Sequence, residues 1–288
     1  MCHLIYTDTF YMKRKWIRWV SWILLTPIIL FVILMVLLYV PPVQNLLRRE
    51  VTAYASKATG MQIQVERIDL RFPLNLLVRG VEVIQQPDTL LSLESLNVRV
   101  QAWPLIKGKV EVDEVTLSRV AVNSADLMEG MNIKGVLGRF FLQSHGVDLS
   151  NELAVINQVE LSDTHMQLLM NDTTTTPKDT TASAPINWKV ALHQLKLKNV
   201  SFSMQLPADS MRMAAHIGEA AIDDAQADLK NQYYDLKKFL LSGTSASYDT
   251  GTAQPTEGFD ASHIAVRDIR IALDSLLYKG RDMNAVIR

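Results

Sequence analysis

The sequence predicts a mainly β protein, with a single N-terminal transmembrane helix, a short amphipathic helix and then an antiparallel β-sheet with one apolar face. Three observations predict it. An uncharged apolar stretch covers 20–40, the hydrophobic period switches from helical to strand-like at Met61, and an internal repeat of extended chain runs from Val112 onward.

A helix over 20–40 would be about 30 Å long, the thickness of a bilayer's hydrocarbon core. Pro27 falls in its second turn and is expected to kink it mildly, because neighbouring groups in a span take up the freed carbonyl. Trp19 and Trp22, with Trp16, sit at one end and Tyr39 at the other, where amphipathic rings settle among headgroups. Lys13, Arg14, Lys15 and Arg18 crowd the N-terminal flank, so the positive-inside bias places 1–19 in the cytoplasm and the bulk of the chain on the far side of the membrane. The apolar core is too long for a cleaved signal peptide, and the A-x-A match at Ala53, Tyr54 and Ala55 lies too far downstream, so an uncleaved anchor is expected. Residues 1–11 are unlike any signal n-region, and Met12 reads as the true start.

The amphipathic helix is predicted over 43–59. Val43, Leu46, Leu47, Val51, Tyr54, Ala55 and Ala58 recur at helical spacings, and Gly60 serves as its C-cap. Its apolar stripe has two readings, lying on lipid or capping the end of the sheet. Arg48 and Arg49 alone make a weak polybasic face, which favours the cap.

Strands are predicted over 62–72, 75–84 and 91–100, punctuated by Pro73, Gly80, Pro87 and Pro104; the connections are too short for crossover helices, which implies an antiparallel meander. From Val112 a pattern h-x-x-h-x-h-x-x-h-x-h recurs, for example as Leu192, Leu195, Leu197, Val200 and Phe202. Further copies begin at Val112, Ile156, Ile217, Leu236 and Ala261. On a helix these offsets would leave no apolar side, so the copies are extended chain. Each x-x pair shifts the alternation by one residue, as a bulge or a tight turn does, and the series reads as an irregular run of strand pairs.

The predicted organisation is thus a first β section at 60–122, a partly helical insert at 123–150 and a continuing β section at 151–288. Polar, low-complexity loops near 171–184 and 251–258 are expected to be disordered.

The chain has 288 residues with 29 basic and 30 acidic side chains, and its net charge of -1 offers no field for nucleic acid. The single cysteine, Cys2, precedes Met12, so neither disulfides nor thiolate ligands are expected in the exported part. His145, His165, His193, His216 and His263 lack ligand spacing, and the pairs Asp113-Glu114 and Asp223-Asp224 occupy spacer positions of the repeat. No catalytic set, metal site or cofactor is expected, and the protein does not read as an enzyme.

The short basic start, the span, PPVQNLL, a helix ending Thr59-Gly60 and then QIQVERIDLRFPLNLLVRGVEV resemble the N-terminal region of the TamB/AsmA-like envelope family of two-membrane bacteria. Strand units typified by VEVDEVTLSRVAV extend the likeness to about residue 280. The resemblance implies an elongated, curved sheet forming an open trough across the periplasm. It also implies a role in carrying phospholipid between inner and outer membranes, or in outer-membrane protein translocation and assembly. Family members are far longer, so contact with an outer-membrane barrel partner, attributed to their C-terminal part, does not carry over.

An alternating sheet must hide its apolar face in a barrel, against a second sheet, or under acyl chains. The groove reading takes Val115, Leu117, Val120, Leu195, Leu197, Ile264 and Val266 as lining. The alternative is a non-enzymatic scaffold that accepts client strands at an open sheet edge.

Overall fold

The computed structural model describes residues 36, 39–72, 74–101, 103–104, 111–124, 127, 130–148, 152–171, 187–251, 254, 256–280 and 282–287. Most of the predicted span, including Trp19, Trp22 and Pro27, and the topology residues Lys13, Arg14, Lys15 and Arg18 lie outside them. Among the described residues no helix is long and apolar enough to cross a membrane.

The chain enters through helix α1 (Pro41–Thr59), which starts on two prolines suited to a first turn and stops at Gly60 in the left-handed conformation. One sheet follows, with its strands in chain order. These are β1 (Gln62–Arg71), β2 (Asn75–Gln85), β3 (Asp88–Val100), β4 (Val112–Asn123), β5 (Met131–Asp148), β6 (Leu153–Met170), β7 (Lys189–Leu206), β8 (Met211–Asp228), β9 (Tyr233–Asp249), β10 (His263–Lys279) and β11 (Asp282–Ile287). The sheet is open and curved, with β1 at one edge and β11 at the other.

Three expectations need correction. The partly helical insert at 123–150 is instead occupied by strand β5, of 18 residues. Gly135, Gly138 and the adjacent Phe140 and Phe141 blur its alternation, yet Leu137, Phe140 and Leu142 pair with Val120, Leu117 and Val115 in the rhythm of the repeat. The sheet is not purely antiparallel, since β6 and β7 pair in parallel, with Leu153 beside Lys189 and Leu169 beside Gln205. The 171–188 connection therefore joins opposite ends of two neighbouring strands. Finally, the repeat is not a run of strand pairs. Each copy lies within one strand, apart from Ala261 just ahead of β10, and β6, β7 and β8 are each 18 residues long.

The second spacer pair of each copy interrupts the alternation inside one strand, with a register shift only around Asp268. The second residue of the second pair holds positive φ in every copy: Arg119, Asp163, Asn199, Asp224, Gly243 and Asp268 all lie between 47° and 57°. Gly80, expected to punctuate, sits inside β2 in the same conformation at φ 58°. The register passes over Gly80 and Glu94, then over Glu94 and Arg119, and on through Gly138, Asp163, Asn199 and Gly218. The irregularity therefore lines up from strand to strand as a crease. Aligned interruptions let neighbouring strands bend at the same level while their apolar residues stay on one face, which gives the sheet its curve, and Asp224 lies at a second level beside His193 and Lys237.

Side chains hold the crease together. Arg119 pairs with Glu94, and Asn199 donates to Asp163 at 2.7 Å. Thr164 and Thr244, at apolar positions of the repeat, donate to the carbonyls of Ser162 and Ser242 and so bring no unpaired hydroxyl to that face. A β-carbon on Gly138 would stand 2.7 Å from that of Asp163, and one on Gly218 would stand 2.7 Å from the Gly243 carbonyl oxygen.

Of the two expected disordered loops, 171–184 lies outside the described residues except for Asn171, and the described residues of 251–258 lie outside strands.

Candidate functional site

The register gathers apolar residues from strands far apart in sequence into continuous rows crossing the sheet. One row runs through Ile68, Val78, Leu96, Leu117, Phe140, Leu161, Leu197, Ala220, Leu241 and Ile271. Beside it run Leu70, Leu76, Val98, Val115, Leu142, Val159, Leu195, Ile222, Phe239, Leu273 and Ile287, reaching all eleven strands. At about 4.8 Å per strand spacing, such a row is about 48 Å long.

Four of the seven candidate lining residues fall on these rows. Val115 and Leu195 share the second row, Leu117 and Leu197 the first. Val120 belongs to a third, with Leu93 and Leu137 as neighbours. Val266 lies beside Ala246, and Ile264 beside Tyr248.

Little covers this face. Among the described residues no large side chain is fully buried, and the buried apolar residues are Ile68, Leu90, Leu93, Ala154 and Ala220. Phe202 is 43% exposed and Val266 47% exposed, although both occupy the apolar phase of their strands. A furrow of about 500 Å³ crosses β6 to β10, lined by both phases of the strands, with His165, Gln167, Ser201, His216 and Arg267 of the polar phase beside Phe202 and Val266 of the apolar one. In it Ala215 and Ala246 lie between Phe202 and Val266 in register, so small residues dip between larger ones.

The ionisable groups form local partnerships. His193 meets Asp224 at 3.0 Å, His263 meets Asp260 at 3.0 Å and His216 meets the Ser201 hydroxyl at 3.0 Å. Asp224, read from the sequence as part of a turn or a bulge, holds left-handed backbone at φ 52° within β8. The backbone N–H of Thr256 and then of Ser262, with the His263 ring, hold the Asp260 carboxyl well below the usual carboxylate range. Among the described residues no three His, Cys, Asp or Glu side chains gather as a metal set.

The two edges differ. Along β1, α1 presents Gln44, Arg48 and Ser56, which recur on one side of the helix. Gln44 donates to the Leu70 carbonyl at 3.0 Å, Arg48 to that of Glu66 at 2.6 Å, and the Ser56 hydroxyl accepts from the Ile63 amide at 3.1 Å. The helix thus seals the edge backbone through polar side chains. The apolar stripe expected to do the capping faces elsewhere, because the open groups of an edge strand are hydrogen-bonding groups. At the other edge β11 pairs with β10 only from Leu273 to Lys279.

No family model and no curated relative matches the chain.

Proposed function

We propose that the uncovered apolar face is a groove for phospholipid acyl chains, in a protein anchored in the inner membrane by 20–40 with its sheet in the periplasm. The observation that carries this reading is the pair of apolar rows crossing the whole sheet without an element packed over them among the described residues. An acyl chain laid along a row avoids water at every step, and each methylene so shielded is worth about 0.8 kcal/mol. Because the rows are continuous, a chain sliding across the strands exchanges one apolar neighbour for the next without a polar barrier. The same order of elements in the TamB/AsmA-like family, and the transport between inner and outer membranes ascribed to it, supports the direction of this reading.

The test is native mass spectrometry and lipid extraction of the full chain purified in mild detergent. Phospholipid bound in defined stoichiometry is expected. A lipid-free protein whose apolar face is protected from solvent probes would overturn the groove.

One observation favours a second reading. The outward edge of β10 over 263–272 carries no strand among the described residues, so a client strand could add there and make the protein a scaffold for outer-membrane protein assembly. Crosslinks from this edge to client peptides, with the groove empty of lipid, would select it.

A further inference from the structure

We propose that α1 lies on the bilayer surface, apolar stripe toward the lipid, and so sets β1 as the membrane-proximal edge of the sheet. This rests on the reading of 20–40 as a membrane span. The polar side of α1 is already committed, since Gln44, Arg48 and Ser56 hold the backbone of β1. On another side Leu47, Val51, Tyr54 and Ala58 follow one another at helical spacing and stand exposed. Tyr54 is 77% exposed.

The occupant follows from where the chain leads. Residues 20–40 run into α1 through Val40 with no intervening linker, so lipid is within reach of its first turn. At that same end Gln44 reaches the last residues of β1, and just beyond them Phe72 is 84% exposed, with Tyr39 edge-on to its ring at 6.5 Å. Aromatic rings settle at headgroup depth. Exposed Lys57 lies about a quarter turn round the helix from the stripe and suits anionic headgroups, whereas Arg49 stands on the opposite side. An interfacial helix of this kind combines a polar flank with a buried apolar one, and here the polar flank is bonded to the sheet edge. A lipid leaving the membrane would meet the groove at β1 directly above this contact.

The test uses the full chain with Cys2→Ser, in vesicles of phosphatidylethanolamine and phosphatidylglycerol. Nitroxides are placed singly through Leu47→Cys, Val51→Cys, Tyr54→Cys and Phe72→Cys, and on the other flank through Asn45→Cys and Ala53→Cys. Relaxation by oxygen is expected to exceed relaxation by a water-soluble nickel chelate at the first four, with the order reversed at the last two. Nickel-dominated relaxation at all six, with the chain still retained after alkaline carbonate extraction, overturns this inference and leaves the anchor standing. Release of the chain by carbonate overturns both. Shielding of the first four from both reagents that fades as protein is diluted in lipid overturns it in favour of contact between copies.

Discussion

Asn199 on β7 donates its side-chain amide to the Asp163 carboxylate on β6 at 2.7 Å, and both residues hold left-handed backbone, with φ of 53° and 52°. This pair ties the one parallel junction among the described strands at the level where the sheet bends. The left-handed region costs an ordinary side chain about 1–2 kcal/mol, and Asn and Asp tolerate it through local hydrogen bonding. Asn199→Gly keeps the backbone and loses the bond, whereas Asn199→Val loses the bond and adds the clash of a branched β-carbon. The valine variant is expected to unfold about 1–2 kcal/mol more easily than the glycine variant in urea, followed by circular dichroism. Equal midpoints would show that the crease does not hold this conformation.

The glycines of the crease make the complementary prediction. A β-carbon at Gly218 would stand 2.7 Å from the Gly243 carbonyl oxygen, a backbone atom that moves only if the neighbouring strand moves. Gly218→Ala is expected to destabilise by about 1–3 kcal/mol, as overpacking usually does. Gly60→Ala is the control for a glycine with open space around it, since its β-carbon would meet nothing within 4 Å and only its φ of 71° is strained. Hydrogen exchange should rise on β9 as well as β8 in the first variant and stay local in the second.

How far the fold can be read from the residues depends on what each pattern encodes. The spacer pairs announce an interruption, and residues such as Ser118-Arg119 and Asp223-Asp224 suit a turn as well as a bulge. Only the pairing of Arg119 with Glu94 across an unbroken register shows that the strand continues. Alternation likewise reports which face a residue takes and nothing about the direction of the next strand, so the parallel β6–β7 junction is invisible in it. In β5 the glycines that let the crease close, such as Gly138 against Asp163, are the residues that disguise the strand. Which apolar residues share a row was legible because the breaks in alternation on neighbouring strands coincide. Val115 and Leu195 meet one row although two strands and many residues separate them. The polar seal on β1 was missed because Gln44, Arg48 and Ser56 look like the solvent side of an amphipathic helix, and their spacing of four or eight residues was the available signal.

That seal can be tested directly. Arg48→Met keeps the helix and most of its stem contacts while leaving the Glu66 carbonyl without its 2.6 Å donor. A loss of about 1 kcal/mol is expected, with faster hydrogen exchange confined to α1 and β1. Exchange that accelerates equally on β10 would mean that α1 acts on the whole sheet rather than on its edge.

The groove makes a sharper demand on Leu197, which sits at mid-row between Leu161 and Ala220. Its side chain is only partly buried, so a carboxylate there can still reach water and the sheet should survive Leu197→Asp. A charge in the path of an acyl chain is far less tolerable, because the chain must then displace water from an ion. Co-purified phospholipid is expected to fall severalfold in Leu197→Asp and to remain unchanged in Lys196→Asp, whose side chain belongs to the other face. Retention of lipid by Leu197→Asp would place the acyl chains elsewhere.

Asp260 supplies a pH dependence with a definite sign. Its carboxylate accepts from the amides of Thr256 and Ser262 and from the His263 ring, and these bonds favour the charged form, so its folded-state pKa lies below the ordinary value of about 3.9. A depressed carboxylate contributes stability that is fully present above the unfolded pKa and is lost as the pH falls through the folded one. The turn entering β10 should therefore hold at neutral pH and loosen below about pH 4, seen as faster hydrogen exchange at Thr256, Ser262 and His263. Asp260→Asn gives up one acceptor oxygen and the charge, so its turn should be loose already at neutral pH. The difference in exchange between the two proteins should then shrink as acid is added. A difference that stays constant from neutral pH down to about pH 3 would show that the carboxylate does not hold this turn.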